Sequence, residues 1–283
     1  MKFIDDLKTK GYCVIDNILT DDEVELSLNY FHEWFDSNSQ IKDSHDKMSP
    51  HGIFKFFEVG HQRHAWFIRT RPAVQNVFKA LWQTDELAVS FDGSCYLSKD
   101  LKKRDSIWTH ADQAPSKKGL SCYQGFVSLT ENKERSFVVY EGSHKLHEVY
   151  CDEKNLTDNK NWLLIDHEYL ERIKESRKVL YVKPGSLVIW DSRTFHQNQY
   201  GTAPEERIVQ YVSFLPKKDC SKKMHEKRLK YFMEKRTTSH WAYPVKVNGL
   251  QPQTYGKKSL LIDYSKLTPP NLSDMLDDIM KLI

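Results

Sequence analysis

The clearest alternation of apolar and polar positions runs from Val179 to Phe214, VLYVKPGSLVIWDSRTFHQNQYGTAPEERIVQYVSF. Two short runs rich in β-branched and aromatic residues, Val179–Val182 and Ser186–Trp190, flank Lys183, Pro184 and Gly185. That is the signature of strand, turn and strand. A polar loop carrying His196 follows, and the alternating run from Arg207 to Phe214 predicts a further strand. Upstream, residues 11–18 read as a first strand. Thr20 then heads a helix with Glu23 placed to close a capping box. Val24, Leu28, Phe31 and Phe35 form one apolar stripe, so this helix should lie against the outside of a sheet. Residues 36–50 are polar and turn-rich and predict a loop or lid. Pro72 opens a second helix that buries Val74, Val77, Phe78 and Leu81. Strand-like runs in Leu87–Leu97 break at Asp92-Gly93, a hairpin turn or a bulge. Gly119–Thr130 and Ser136–Tyr140 predict the next strand pair, with its turn at Glu131–Glu134. Residues 151–178 read as an insertion with a short helix over Asp166–Lys174 and no evident chemistry. Beyond Pro216 the chain is basic and helix-prone, with Met224, Arg228, Tyr231 and Phe232 on one face, and Leu272–Leu282 predicts a closing helix.

Composition adds a few bounds. A chain of 283 residues with 39% hydrophobic and 12% aromatic content can bury a sizeable, β-rich core. A formal charge of +3 calls for neither nucleic acid nor a membrane surface. Five cysteines without paired spacing predict reduced thiols. The opening MKFIDDLKTK has no apolar stretch of signal-peptide type, and no run approaches the ~20 apolar residues that span a bilayer. A soluble cytoplasmic protein is expected, with no membrane partner and an oligomeric state left open.

The chemistry concentrates in Ile107–Gln113, IWTHADQ. On an extended backbone His110 and Asp112 project to the same face. One more imidazole would complete a 2-His-1-carboxylate set that holds Fe(II) on one side and leaves other positions open. A His-x-Asp alone arises about once by chance in such a composition. The order carries the weight: His-x-Asp, further strands, His196 near a strand end, then Arg207, whose planar fork suits a carboxylate. His51, His61 and His64 lie close in sequence but fit no zinc spacing.

These pieces resemble the phytanoyl-CoA dioxygenase-like branch of the Fe(II)/2-oxoglutarate oxygenases. The resemblance rests on GYCVIDNILTDDEV at 11–24, THAD at 109–112, EGSHK at 141–145, PGSLVIWDSRTFH at 184–196 and Arg207. Glu141 stands where that family usually has proline, and NKERSF lacks the customary glycine, which bears on a loop and not on a ligand. The resemblance implies a double-stranded β-helix, or jelly roll, mainly β with flanking helices. Residues 1–215 would form the oxygenase domain with N-terminal supporting helices, and 216–283 a helical extension packed on it. It also implies iron on His110, Asp112 and His196, with 2-oxoglutarate and O2 as co-substrates. The far carboxylate of 2-oxoglutarate would pair with Arg207, and Asn198, Phe126 and Lys55 would add co-substrate contacts. The expected reaction is hydroxylation of an unactivated C–H bond of a small organic substrate, releasing succinate and CO2. Hydroxylation of a protein side chain or a nucleic acid is the alternative. A non-catalytic jelly-roll binding protein would have no need of all four of His110, Asp112, His196 and Arg207. Lys102, Lys103, Arg104, Lys117 and Lys118 bracket the His-x-Asp segment and, if they ring the entrance, favour an anionic substrate. No aromatic-interleaved basic groove argues for nucleic acid.

Overall fold

A computed structural model describes residues 1–283. Its twelve strands are β1 (Tyr12–Ile15), β2 (Ile53–Phe54), β3 (Leu87–Val89), β4 (Ser94–Leu97), β5 (His110–Ala111), β6 (Tyr123–Ser128), β7 (Phe137–Tyr140), β8 (Leu163–Leu164), β9 (Arg177–Val179), β10 (Leu187–Asp191), β11 (His196–Asn198) and β12 (Arg207–Pro216). They form two antiparallel sheets. The larger has the order β1-β10-β6-β12-β4-β2, with β3 paired to the far end of β12, and the smaller has the order β8-β5-β11-β7-β9. This is the predicted jelly-roll class, with the two sheets facing each other and not closed into a barrel.

Alternation along the strands of the large sheet divides its side chains between two environments. Val127, Leu187, Ile189, Ile208 and Val212 point outward into a core shared with the helices. Phe126, Val188, Trp190 and Val209 point inward and meet Phe137 and Val139 of the small sheet. The helices α1 (Lys2–Lys10), α2 (Asp21–Asp36), α3 (Ser39–Met48), α4 (Arg63–Thr70) and α5 (Pro72–Trp82) precede most of the sheet. In α2 the Thr20 hydroxyl accepts from Glu23 N–H while the Glu23 carboxylate accepts from Thr20 N–H, so the capping box forms. Its stripe packs Phe31 on Tyr96 of β4 and Trp34 on Phe54 of β2, with ring centroids 5.5 and 5.1 Å apart.

Several expectations need correcting. Residues 36–50 hold a helix, α3, capped by Asn38. Its thin apolar stripe, Ile41 and Met48, is completed by His45, whose Nε2 lies 2.9 Å from the Tyr96 carbonyl. The runs on either side of Asp92-Gly93 do not form a hairpin. Both β3 and β4 pair with β12, so the dipeptide is a jog along one neighbour. A Cβ on Gly93 would fall 1.9 Å from the Phe54 carbonyl, so only glycine lets β2 lie against β4 there. The expected pairs β6 with β7 and β9 with β10 are instead crossings from one sheet to the other. His196 belongs to a strand, β11, and not to a loop.

Between β7 and β9 lie α6 (His147–Glu153), which leads into the insertion, and α7 (His167–Arg172) within it, and after β12 come α8 (Lys222–Met233) and a short α9 (Leu276–Met280) at the end. The tail is less helical than expected: most of 234–275 is irregular. It nevertheless joins the main core through Leu260, Ile262, Met275, Ile279 and Leu282. The fully buried Arg228 of α8 ties it down, donating to the carbonyls of Val89, Ala242, Leu282 and Ile283. All five cysteines are free thiols. No helix is long and apolar enough to cross a membrane.

Candidate metal centre and co-substrate site

The site is built where β5 and β11 pair. His110 and His196 are direct cross-strand partners, and their rings lie 4.4 Å apart between centroids. Asp112 stands two residues beyond His110, with its N–H held by the Ser192 carbonyl at 3.0 Å. The three side chains bring one ligand atom each to within 4.8 Å of one another, and all three lie at low exposure. His110 Nε2 is 3.7 Å and His196 Nε2 3.2 Å from the Asp112 carboxylate oxygens.

Each imidazole is locked in the tautomer a metal requires. Nδ1 of His110 lies 3.1 Å from the Trp108 carbonyl, and Nδ1 of His196 lies 2.8 Å from that of Thr194. A carbonyl only accepts, so Nδ1 carries a proton and Nε2, on the side of Asp112, is the nitrogen left to bind a metal. Burial works to raise the Asp112 pKa, but the two imidazoles beside it, His110 above all, outweigh it and hold the carboxyl well below its usual range. Burial and the neighbouring His110 push the His196 pKa down. Two imidazole nitrogens and one carboxylate on one face are the donor set that suits Fe(II) with open positions opposite.

A cavity of about 370 Å³ opens on this centre. Trp108, Phe137, Trp162, Trp190 and Tyr211 supply its aromatic surface, and Asp92, Gln124, Asn161, Asn198 and His240 its polar one. Arg207 stands behind the wall at the start of β12, fully buried. Its Nη1 donates to Asn198 Oδ1 at 2.7 Å, and Asn198 Nδ2 donates to the Tyr211 hydroxyl at 3.2 Å. Arg207 Nε and Nη2 have no partner at all. A buried guanidinium with two idle donors on one edge costs several kcal/mol, of the order seen for unpaired buried ions. Carboxylate binding would supply the missing partner, so these residues fit a co-substrate with two carboxylates.

The other expected site residues fall into place unevenly. Phe126 sits on β6 with its ring 5.3 Å from the Arg207 guanidinium, so it backs that charge and does not line the cavity. Lys55 is exposed and lines the mouth. His51 stacks on Trp108 at 3.9 Å, His61 faces the Arg236 carbonyl and His64 faces the Ser94 hydroxyl, so these three are packing residues. The five basic residues flanking the His-x-Asp segment are absent from the wall. Lys103 donates to the Asp46 carbonyl, Lys117 lies over the Trp241 ring at 4.1 Å, and Lys118 pairs with Glu148 and Asp152. Conversely, Asn161 and Trp162 come from the stretch that carried no evident chemistry. They reach the site because β8 pairs with β5 beside His110.

The family model for phytanoyl-CoA dioxygenase matches residues 7–200, more than half of the chain. The protein belongs to the phytanoyl-CoA dioxygenase family. Members of this family are Fe(II)- and 2-oxoglutarate-dependent oxygenases that use O2, and this one is an enzyme of that class. A family relative from Aspergillus versicolor, Ava biosynthesis cluster protein O, is 30% identical over 259 residues, covering 81% of this chain and 82% of its own. Among solved structures, EctD from S. alaskensis with 2-oxoglutarate and 5-hydroxyectoine matches with a TM-score of 0.55 at 16% identity, over 76% of this chain and 75% of that one. SnoK, a non-heme alpha ketoglutarate dependent carbocyclase from nogalamycin biosynthesis, matches at 0.52 and 17% identity, over 76% and 83%. HygX from Streptomyces hygroscopicus, with nickel and 2-oxoglutarate bound, matches at 0.51 and 11%, over 76% and 86%. At these identities the likeness is one of fold.

Proposed function

We propose that this family member holds Fe(II) on His110, Asp112 and His196 and hydroxylates an unactivated C–H bond of a small organic molecule. The observation that carries the reading is the pairing of a pre-locked three-ligand cluster with a buried Arg207 whose Nε and Nη2 have no partner. When bound there, iron with 2-oxoglutarate and O2 supplies an oxidant strong enough for such a bond, at the expense of oxidative decarboxylation to succinate and CO2.

The chain's own part is placement. Trp108 and Thr194 fix the two imidazoles through their carbonyls, so neither ring has to turn when metal enters. Arg207 receives the far carboxylate of 2-oxoglutarate through a fork that lysine could not reproduce. Asn198 aims that fork by holding Nη1, and Phe126 gives the guanidinium an apolar back wall. Lys55 at the mouth is the one lysine or arginine lining the cavity, so an anionic group on the substrate would be met there. The aromatic wall and the cavity's small volume favour a small molecule over a polymer segment.

The test is to load the purified protein with Fe(II) under argon, admit O2 with 2-oxoglutarate, and follow succinate. Slow, iron-dependent succinate formation without added substrate is expected, accelerated by the true substrate with one oxygen atom of labelled O2 entering the product. Succinate formation that ignores added iron, or none from iron-loaded protein, would overturn the proposal.

A further inference from the structure

Residues 237–248 lie beyond the segment matched by the family model, yet they wall the cavity. They form a strap closed on itself by Ser239 N–H to the Lys246 carbonyl and Asn248 N–H to the Thr237 carbonyl, both 2.9 Å. The strap is stitched to the sheet and its flanking turn. Thr238 N–H donates to the Phe91 carbonyl at 2.9 Å, and the Thr238 and Thr237 hydroxyls accept from Phe91 and Gly60 N–H. Trp241 is buried against Ala88, Cys122 and Leu215. Thus anchored on both sides, the strap presents His240 to the cavity.

His240 lines the same cavity as His110, Asp112 and His196, but it is not one of the clustered ligand residues. Its Nε2 is buried and has no hydrogen-bond partner. A buried imidazole nitrogen left unpaired costs about 1–3 kcal/mol, and the ring's aromatic neighbour, Trp241 at 5.3 Å, gives that nitrogen no partner. The ring is therefore fitted to a polar group that arrives with the ligands of the centre.

We propose that His240 is a co-substrate-positioning residue: it hydrogen-bonds a carboxylate oxygen of 2-oxoglutarate at the metal end of that molecule, opposite the end held by Arg207. The proposal rests on the iron and 2-oxoglutarate reading above. A tail outside the matched segment would thereby complete the co-substrate site.

The experiment uses full-length protein, Fe(II) and 2-oxoglutarate under argon, with no substrate. The visible iron-to-2-oxoglutarate charge-transfer absorption reports both binding and the electronic surroundings of the chelate. His240→Phe is expected to weaken 2-oxoglutarate binding about ten- to a hundredfold, the range for one charge-assisted hydrogen bond. It should also shift the absorption maximum, with Fe(II) affinity unchanged. His240→Gln, which keeps a side-chain donor, should recover most of the affinity. Wild-type affinity and an unshifted band in His240→Phe would overturn the proposal. So would equal losses in both variants accompanied by loss of Fe(II) binding, since the residue would then only support the fold. If wild-type protein develops no such band, the failure lies with the iron reading itself.

Discussion

Replacing Arg207 with methionine separates what this residue does for the fold from what it does for the reaction. The guanidinium is fully buried and makes one hydrogen bond, to Asn198. Its two idle donors mean that the ligand-free protein bears most of the desolvation penalty of a buried ion without the compensating pair. Methionine fills a similar volume with no charge. Substituting an apolar residue for a poorly paired buried ion typically stabilises by about 1–4 kcal/mol. Against this, Asn198 Oδ1 loses its donor, which costs about 1 kcal/mol. The net expectation without ligands is a variant as stable as wild type or up to about 3 kcal/mol more stable. Co-substrate binding moves the other way. Two charge-assisted hydrogen bonds at about 1.5–3 kcal/mol each correspond to a loss of at least about a hundredfold in 2-oxoglutarate affinity. Fe(II) affinity should hold, because Arg207 touches none of the three ligands. Thermal and denaturant unfolding of the metal-free proteins, with anaerobic 2-oxoglutarate titration of the Fe(II) forms, reads both quantities. A variant that is clearly less stable and binds 2-oxoglutarate within about threefold of wild type would refute the reasoning on both counts, leaving Arg207 a structural ion.

Two further outcomes follow from the fold. Thr20→Ala removes one half of a formed capping box and should lower stability by about 1 kcal/mol in denaturant unfolding, without changing iron binding. Burial pushes the imidazoles of His61 and His64 down to about 3. The unfolded chain therefore takes up their protons first: the stability they permit is complete above pH 6.5 and is lost as the pH falls toward 3. Each histidine contributes a slope of about 1.4 kcal/mol per pH unit in that window. His64→Gln should make the acid limb of a stability–pH curve shallower by about that amount, and an unchanged slope would count against a buried neutral His64.

The parts of the site written as short-range pattern were legible in the sequence. A two-residue spacing on an extended backbone placed His110 and Asp112 on one face, and an arginine at the head of an alternating run was found at the head of β12. The capping box at Thr20 and the stripe of α2 came through for the same reason. Sheet membership was not legible, because alternation states which residues share a face and not which strand lies alongside. Hence β6 and β7, consecutive in the chain, lie in opposite sheets. The helix α3 was hidden because a histidine bonded to a backbone carbonyl stands in its buried stripe where an apolar residue would have shown the period. Asn161 and Trp162 reach the cavity only through the pairing of β8 with β5, a contact between segments far apart in the chain. The basic residues around the His-x-Asp segment show the converse. Clustered in sequence, three of the five, Lys103, Lys117 and Lys118, are spent in space on Asp46, Trp241, Glu148 and Asp152.

The central claim is that His110, Asp112 and His196 hold the iron, and anaerobic Fe(II) titration of wild type against His196→Ala by calorimetry tests it most directly. The account predicts one Fe(II) per wild-type chain. In the variant it predicts affinity reduced at least about a hundredfold with the fold intact by circular dichroism, since two ligands cannot fix the facial geometry. Wild-type Fe(II) affinity and stoichiometry in His196→Ala would contradict it.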